Sequence, residues 1–91
     1  MSIKVNIPWF LRQLINGVEV AEVDGSTVGE CLEHLVEQFP IIKQKLFNDK
    51  TGRLFDYIDV YVNRESSYPG ESAKPVKDGD EIHIILIIDG G

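Results

Sequence analysis

Only one stretch of this 91-residue chain has the spacing of a long amphipathic helix, and the segments around it have the period of strands. Val28, Leu32, Leu35, Val36 and Phe39 recur at intervals of three and four residues, so a helix through them gathers all five on one face. Thr27-Val28-Gly29-Glu30 has the form of a capping box, in which the threonine hydroxyl caps the first turn and the glutamate reaches back. Pro40 stops the helix, because proline lacks an N–H and its ring collides with the preceding turn. A single apolar helix face in a chain this short has to be buried against a sheet. The expected class is therefore α+β.

The strands follow from alternation. Ile3, Val5 and Ile7 alternate with Lys4 and Asn6, and Pro8 closes that segment. Trp9 to Leu14 is apolar but short, and Asn16-Gly17 predicts a turn between two strands. The second of these, over 18–23, alternates poorly, which predicts a bulge. Residues 41–47 form either one more helical turn or a loop that drops Ile42 and Leu46 into the core. Ile58, Val60 and Val62 alternate well and point inward. Residues 64–77, with Pro69-Gly70 and Pro75, read as loop with room for a short strand at the end. Asp78-Gly79-Asp80 then turns the chain into a last strand over 81–88. The first and last strands are the most apolar and are expected centrally, side by side. The expected architecture is one domain, 1–91, with a four- to five-stranded sheet curved over one main helix and a flexible tail at 89–91.

Fifteen acidic residues against nine basic ones give a net charge of -6. Such a surface repels nucleic-acid backbones and anionic membranes, so neither is expected as a partner. It suits a protein with a basic groove, or serves solubility alone. The lone Cys31 permits no intrachain disulfide. The first ten residues lack the apolar core of a signal peptide, and no apolar run is long enough to span a membrane. A cytoplasmic protein is expected.

Little in the chain suggests catalysis. His34 and His83 are the only histidines, and neither sits in a glycine-rich or strained turn. They are expected as solvated or packed surface residues. Cys31 lies beside the apolar stripe of the helix and is expected as a small buried hydrophobe. No spacing of Cys and His suits zinc, and no glycine-rich phosphate loop occurs. No metal site, no bound cofactor and no enzymatic activity of the chain by itself are expected.

Two features remain. The last strand is apolar on both faces, with Ile82, Ile84, Leu86 and Ile88 on one and Ile85 and Ile87 on the other. A sheet covered by a helix on one side should be polar on its second face. Either Trp9 and Phe10 cover that face, or another protein docks there. The second feature is the ending Asp89-Gly90-Gly91. A terminal glycine pair arises by chance about 0.5% of the time when glycine is about 7% of residues. Glycine has no Cβ, so Gly90-Gly91 can thread a channel too narrow for other residues. A carboxylate at its end becomes reactive if ATP adenylates it, and attack by sulfur would then give a thiocarboxylate on a slender arm.

The segments IPWFLRQLING, DGSTVGECLEHLVEQFP, DVYVNRE and PVKDGDEIHII, in this order and followed by Gly-Gly, resemble the MoaD/ThiS family of ubiquitin-like sulfur carriers over nearly the whole length. The resemblance implies a β-grasp fold and a thiocarboxylate on Gly91, with Gly90 and Asp89 in the delivering tail. It implies a ubiquitin-activating-like adenylyltransferase as partner, itself using ATP and magnesium. A sulfur-acceptor enzyme is the second partner, either a cysteine synthase or the large subunit of a molybdopterin synthase. The IP-x-x-LR opening and the G-x-L-x-x-x-x-x-VYVN stretch look most like the cysteine-biosynthesis branch. The molybdopterin synthase small subunit is a close rival, and the thiazole branch is less similar. Ile85, Ile87, Trp9 and Phe10 are the expected docking residues. Many family members carry a proline and a small residue before the glycines, where this chain has Ile87-Ile88-Asp89. A protein modifier joined to targets through Gly91, or a plain interaction module, remains open as an alternative.

Overall fold

Five strands in the order β2-β1-β5-β3-β4 form one mixed sheet in the computed structural model, which describes residues 2–68 and 70–87. The strands are β1 (Ser2–Asn6), β2 (Val20–Asp24), β3 (Ile58–Val62), β4 (Glu65–Ser66) and β5 (Glu81–Leu86). The first and last strands are neighbours and run parallel, while the other pairings are antiparallel. Three α-helical segments complete the fold: α1 (Trp9–Arg12), α2 (Val28–Gln38) and α3 (Lys43–Leu46). No helix among the described residues is long and apolar enough to cross a membrane.

The core forms where one face of the sheet meets α2. Ile3 and Val5 of β1, Val60 of β3 and Ile82 of β5 are fully buried, as are Val28, Cys31 and Leu35 of the helix. Ile42 and Leu46 join them from a 3-10 turn (Pro40–Ile42) and α3, so residues 41–47 supply both a helical turn and two core side chains.

The helix start shows how closely local chemistry matches the expectation. Glu30 N–H donates to Thr27 Oγ1 at 3.2 Å, as a capping box requires. The Glu30 carboxylate reaches one residue further back, accepting from Ser26 Oγ at 2.6 Å and Ser26 N–H at 2.7 Å. The Ser26 hydroxyl first, and its backbone N–H second, hold the Glu30 carboxyl below its ordinary range.

A strap over residues 70–76 crosses this helix start. Val28 N–H donates to Lys74 O at 2.9 Å, and Val76 N–H donates to Ser26 O at 3.0 Å. The strap's 3-10 turn (Glu71–Ala73) lies so close that a Cβ added at Gly29 would stand 2.8 Å from Ser72 O. Gly29→Ala gains helix propensity yet forces the strap outward. A net loss of about 1–2 kcal/mol is expected, read as a lower urea midpoint at unchanged slope.

Three expectations change. The strand after the turn carries no bulge: β1 and β2 pair one to one from Ser2↔Asp24 to Asn6↔Val20. Over Val20–Asp24 the side chains alternate cleanly between exposed and buried, and the apolar pattern alternates poorly because Val20, on the outward parity, is an exposed valine next to buried Ala21. Asn16-Gly17 does not link two strands directly. It ends a helical segment, α1 followed by a 3-10 turn (Gln13–Ile15), with both residues left-handed at φ 58° and 77°. The short strand within 64–77 comes near its start, as β4, and not at its end. At the end there is a single bridge, Pro75 to Thr27, and no further strand among the described residues.

Candidate functional site

The sheet face turned away from α2 changes character along β5. Strand register sets Lys4 beside Glu81, and then Asn6, His83 and Tyr61 in one row. Further along, Ile85 lies opposite Asp59, and Ile87 N–H donates to Tyr57 O at 2.7 Å. The strand is thus polar where it begins and apolar where it leads into the tail.

Nothing among the described residues covers that apolar end. Ile85 is 41% exposed, Ile87 48% and Trp9 68%, so the described residues leave these side chains largely open. The parallel pairing of β1 with β5 explains why Trp9 is nearby. Pro8 and α1 follow β1 at the same end of the sheet as the C-terminal half of β5. Together they frame an open groove of about 400 Å³, lined by Pro8, Trp9, Arg12, His83 and Ile85 among others. Arg12 is tethered there, with its Nε donating to Ile7 O at 2.7 Å and its guanidinium 3.9 Å from the Glu19 carboxylate.

Of the four expected docking residues, the structure brings Trp9 and Ile85 together on this groove and leaves Ile87 exposed at the end of β5. Phe10 differs. It is half-buried, packs against the core and meets the Trp9 indole edge-on, with ring centroids 5.8 Å apart. It lies beneath Trp9 rather than beside it on the open surface, because α1 turns consecutive side chains to different faces. Sequence reading missed Tyr57, which is stacked on Phe55 at 5.1 Å and exposed across from Ile87. Only strand register could have linked it to Ile87.

Ile88, Asp89, Gly90 and Gly91 lie outside the described residues. Four residues span at most about 14 Å when extended.

The remaining candidate groups are dispersed. His34 is occupied by the Asp24 carbonyl, to which its Nδ1–H donates. His83 lies mid-sheet between Asn6 and Tyr61. Cys31 is fully buried, and burial pushes its thiol up, away from the reactive thiolate. Among the described residues no cluster of three or more His, Cys, Asp or Glu is arranged to hold a metal ion.

A five-stranded mixed sheet with parallel central strands, crossed by one long helix, defines a ubiquitin-like β-grasp protein. Within that class the chain belongs to the ThiS family, which it matches over residues 5–91. It is similar to the sulfur carrier protein CysO of Mycobacterium tuberculosis, with 29% identity over 93 residues and full coverage of both chains. It is also similar to the small archaeal modifier protein 1 of Haloferax volcanii, 37% identical over 71 residues that cover 77% of each chain. Among solved structures, the BexX/CysO complex of Amycolatopsis orientalis contains a chain 33% identical to this one. They superpose with a TM-score of 0.84, over 98% of this chain and 99% of the other.

Proposed function

We propose that this protein is a sulfur carrier whose Gly91 carboxylate is adenylated and then converted to a thiocarboxylate. The observation that carries this reading is the family match, which runs through the two glycines to residue 91. Full-length similarity to a protein named as a sulfur carrier supports it. The chemistry divides between two proteins. The carrier contributes the carboxylate, a side-chain-free arm in Gly90-Gly91, and an exposed apolar face around Trp9, Ile85 and Ile87 for docking. The activating partner, a ubiquitin-activating-like adenylyltransferase, contributes ATP and Mg²⁺. A carboxylate oxygen attacks the α-phosphate and pyrophosphate leaves. A sulfur nucleophile then attacks the acyl carbon and AMP leaves. The thiocarboxylate sulfur is afterwards transferred to an acceptor enzyme, in cysteine or molybdopterin biosynthesis.

The test is incubation with the cognate activating enzyme, ATP, Mg²⁺ and a sulfide source, followed by intact mass measurement. The expected gain is the mass of sulfur less that of oxygen at the C-terminal residue. An unchanged mass beside a verified, ATP-consuming partner overturns the proposal.

A second reading, a modifier conjugated through Gly91 to lysines of other proteins, is favoured by the similarity to a protein named as a modifier. The same adenylate serves it. Gly-Gly remnants on lysines of cellular proteins, lost when the gene is deleted, would favour this reading. Their absence leaves carriage alone.

A further inference from the structure

The sheet has two edge strands, and they are not equally safe. β4 is two residues long, too short to template another strand. β2 has five residues and is the long edge. Ile7 N–H donates to Glu19 O at 2.8 Å, so in this register Ile7–Glu19, Val5–Ala21 and Ile3–Val23 are the hydrogen-bonded pairs. The intervening residues Val20, Glu22 and Asp24 must turn their backbone groups outward, away from β1.

Two of those outward carbonyls are occupied from α2. Gln38 Nε2 donates to Glu22 O at 2.8 Å, and His34 Nδ1–H donates to Asp24 O. A carbonyl only accepts, so the His34 proton in this contact sits on Nδ1. The spacings match. Residues four apart on a helix are separated by a rise of about 6 Å, and residues two apart on a strand by about 6.6 Å. One helical turn can therefore cover two successive outward carbonyls.

We propose that His34 and Gln38 guard this edge, preventing β2 from pairing with the β2 strand of a second copy of the chain. A second copy is the relevant occupant because a twofold axis through Glu22 aligns the two edges, with Val20 opposite Asp24 and Glu22 opposite Glu22. The facing Glu22 carboxylates, on a chain of net charge -6, add a second barrier. The side chains and the charges together keep the carrier monomeric although its long edge is exposed.

The test uses the full chain with His34→Ala, Gln38→Ala and Glu22→Thr, compared with the parent by sedimentation over a wide concentration range. The dimer association constant is expected to rise about tenfold or more, from two uncovered carbonyls and one removed repulsion. Amide exchange at Thr-substituted position 22 should slow in the dimer, and adding Val20→Pro should restore the monomer. A folded triple variant whose association constant does not rise overturns the proposal, as does a dimer that persists with Val20→Pro. Should the triple variant fail to fold, the Gln38→Ala, Glu22→Thr pair is measured instead. A smaller rise is expected there, and none overturns the proposal equally.

Discussion

A chain ended at Gly90 is expected to gain no sulfur in the activation assay, although it still presents a glycine carboxylate. The missing residue draws that carboxylate back by about 3.5 Å, and misplacing a reacting group by about 1 Å already costs on the order of 100-fold. Gly90→Val keeps the length and tests the other property of the arm, its lack of side chains. Its branched Cβ is expected to slow activation by about 100-fold or more, because a channel shaped for glycine has no room to re-pack. Both variants alter residues that follow β5 in the chain and carry no side chain, so thermal midpoints are expected to match the parent. Intact mass and pyrophosphate release report the outcome. A chain ended at Gly90 that is charged at the parent's rate would remove Gly91 from the proposed chemistry.

Replacing Ile85 and Ile87 together by alanine is expected to weaken docking to the partner enzymes by about 100-fold, if each behaves as a central apolar anchor worth about 2 kcal/mol with incomplete additivity. Alanine is the cleaner probe. Aspartate at 85 would stand opposite Asp59, whose carboxylate the Ser66 hydroxyl already holds at 2.9 Å, and like charges across a ladder destabilise the sheet itself. Both isoleucines are about half exposed, so their loss should change stability by less than about 1 kcal/mol. Ile82→Ala, three positions before Ile85 and on the opposite face of β5, provides the contrast. Ile82 is fully buried, and its truncation is expected to cost about 2–5 kcal/mol and to act by unfolding. Titration calorimetry against the activating enzyme, with denaturation curves for each variant, separates the two effects. Unchanged affinity in the double variant would move docking away from this face.

Much of the fold was legible because the signals were local. Thr27, Glu30, the apolar stripe and Pro40 lie within one helix length, and each acts on its own turn. The alternation of Ile58, Val60 and Val62 needed only one strand. The apolar character of both terminal strands placed them together at the centre, and the surplus Ile85 and Ile87 marked the face left uncovered. The glycine pair drew attention to the tail from the sequence alone, and its proposed cargo came from family resemblance.

The remaining features depended on register and crossing geometry, which no single segment encodes. Trp9 and Phe10 are adjacent and similar in sequence, yet the pitch of α1 exposes one and tucks the other against the core. Tyr57 joins Ile87 only because β3 and β5 pair in one register. His34 reads as a solvated or packed surface residue, and nothing in the sequence singles out Gln38. Where α2 crosses β2, they become partners of backbone carbonyls that the ladder leaves facing outward. The sequence by itself determined the elements, the core stripe and the unusual ending, since those rest on contacts within a few residues. Tertiary structure alone decided which apolar side chains form a surface and which polar ones close an edge, because both depend on contacts between segments far apart in the chain.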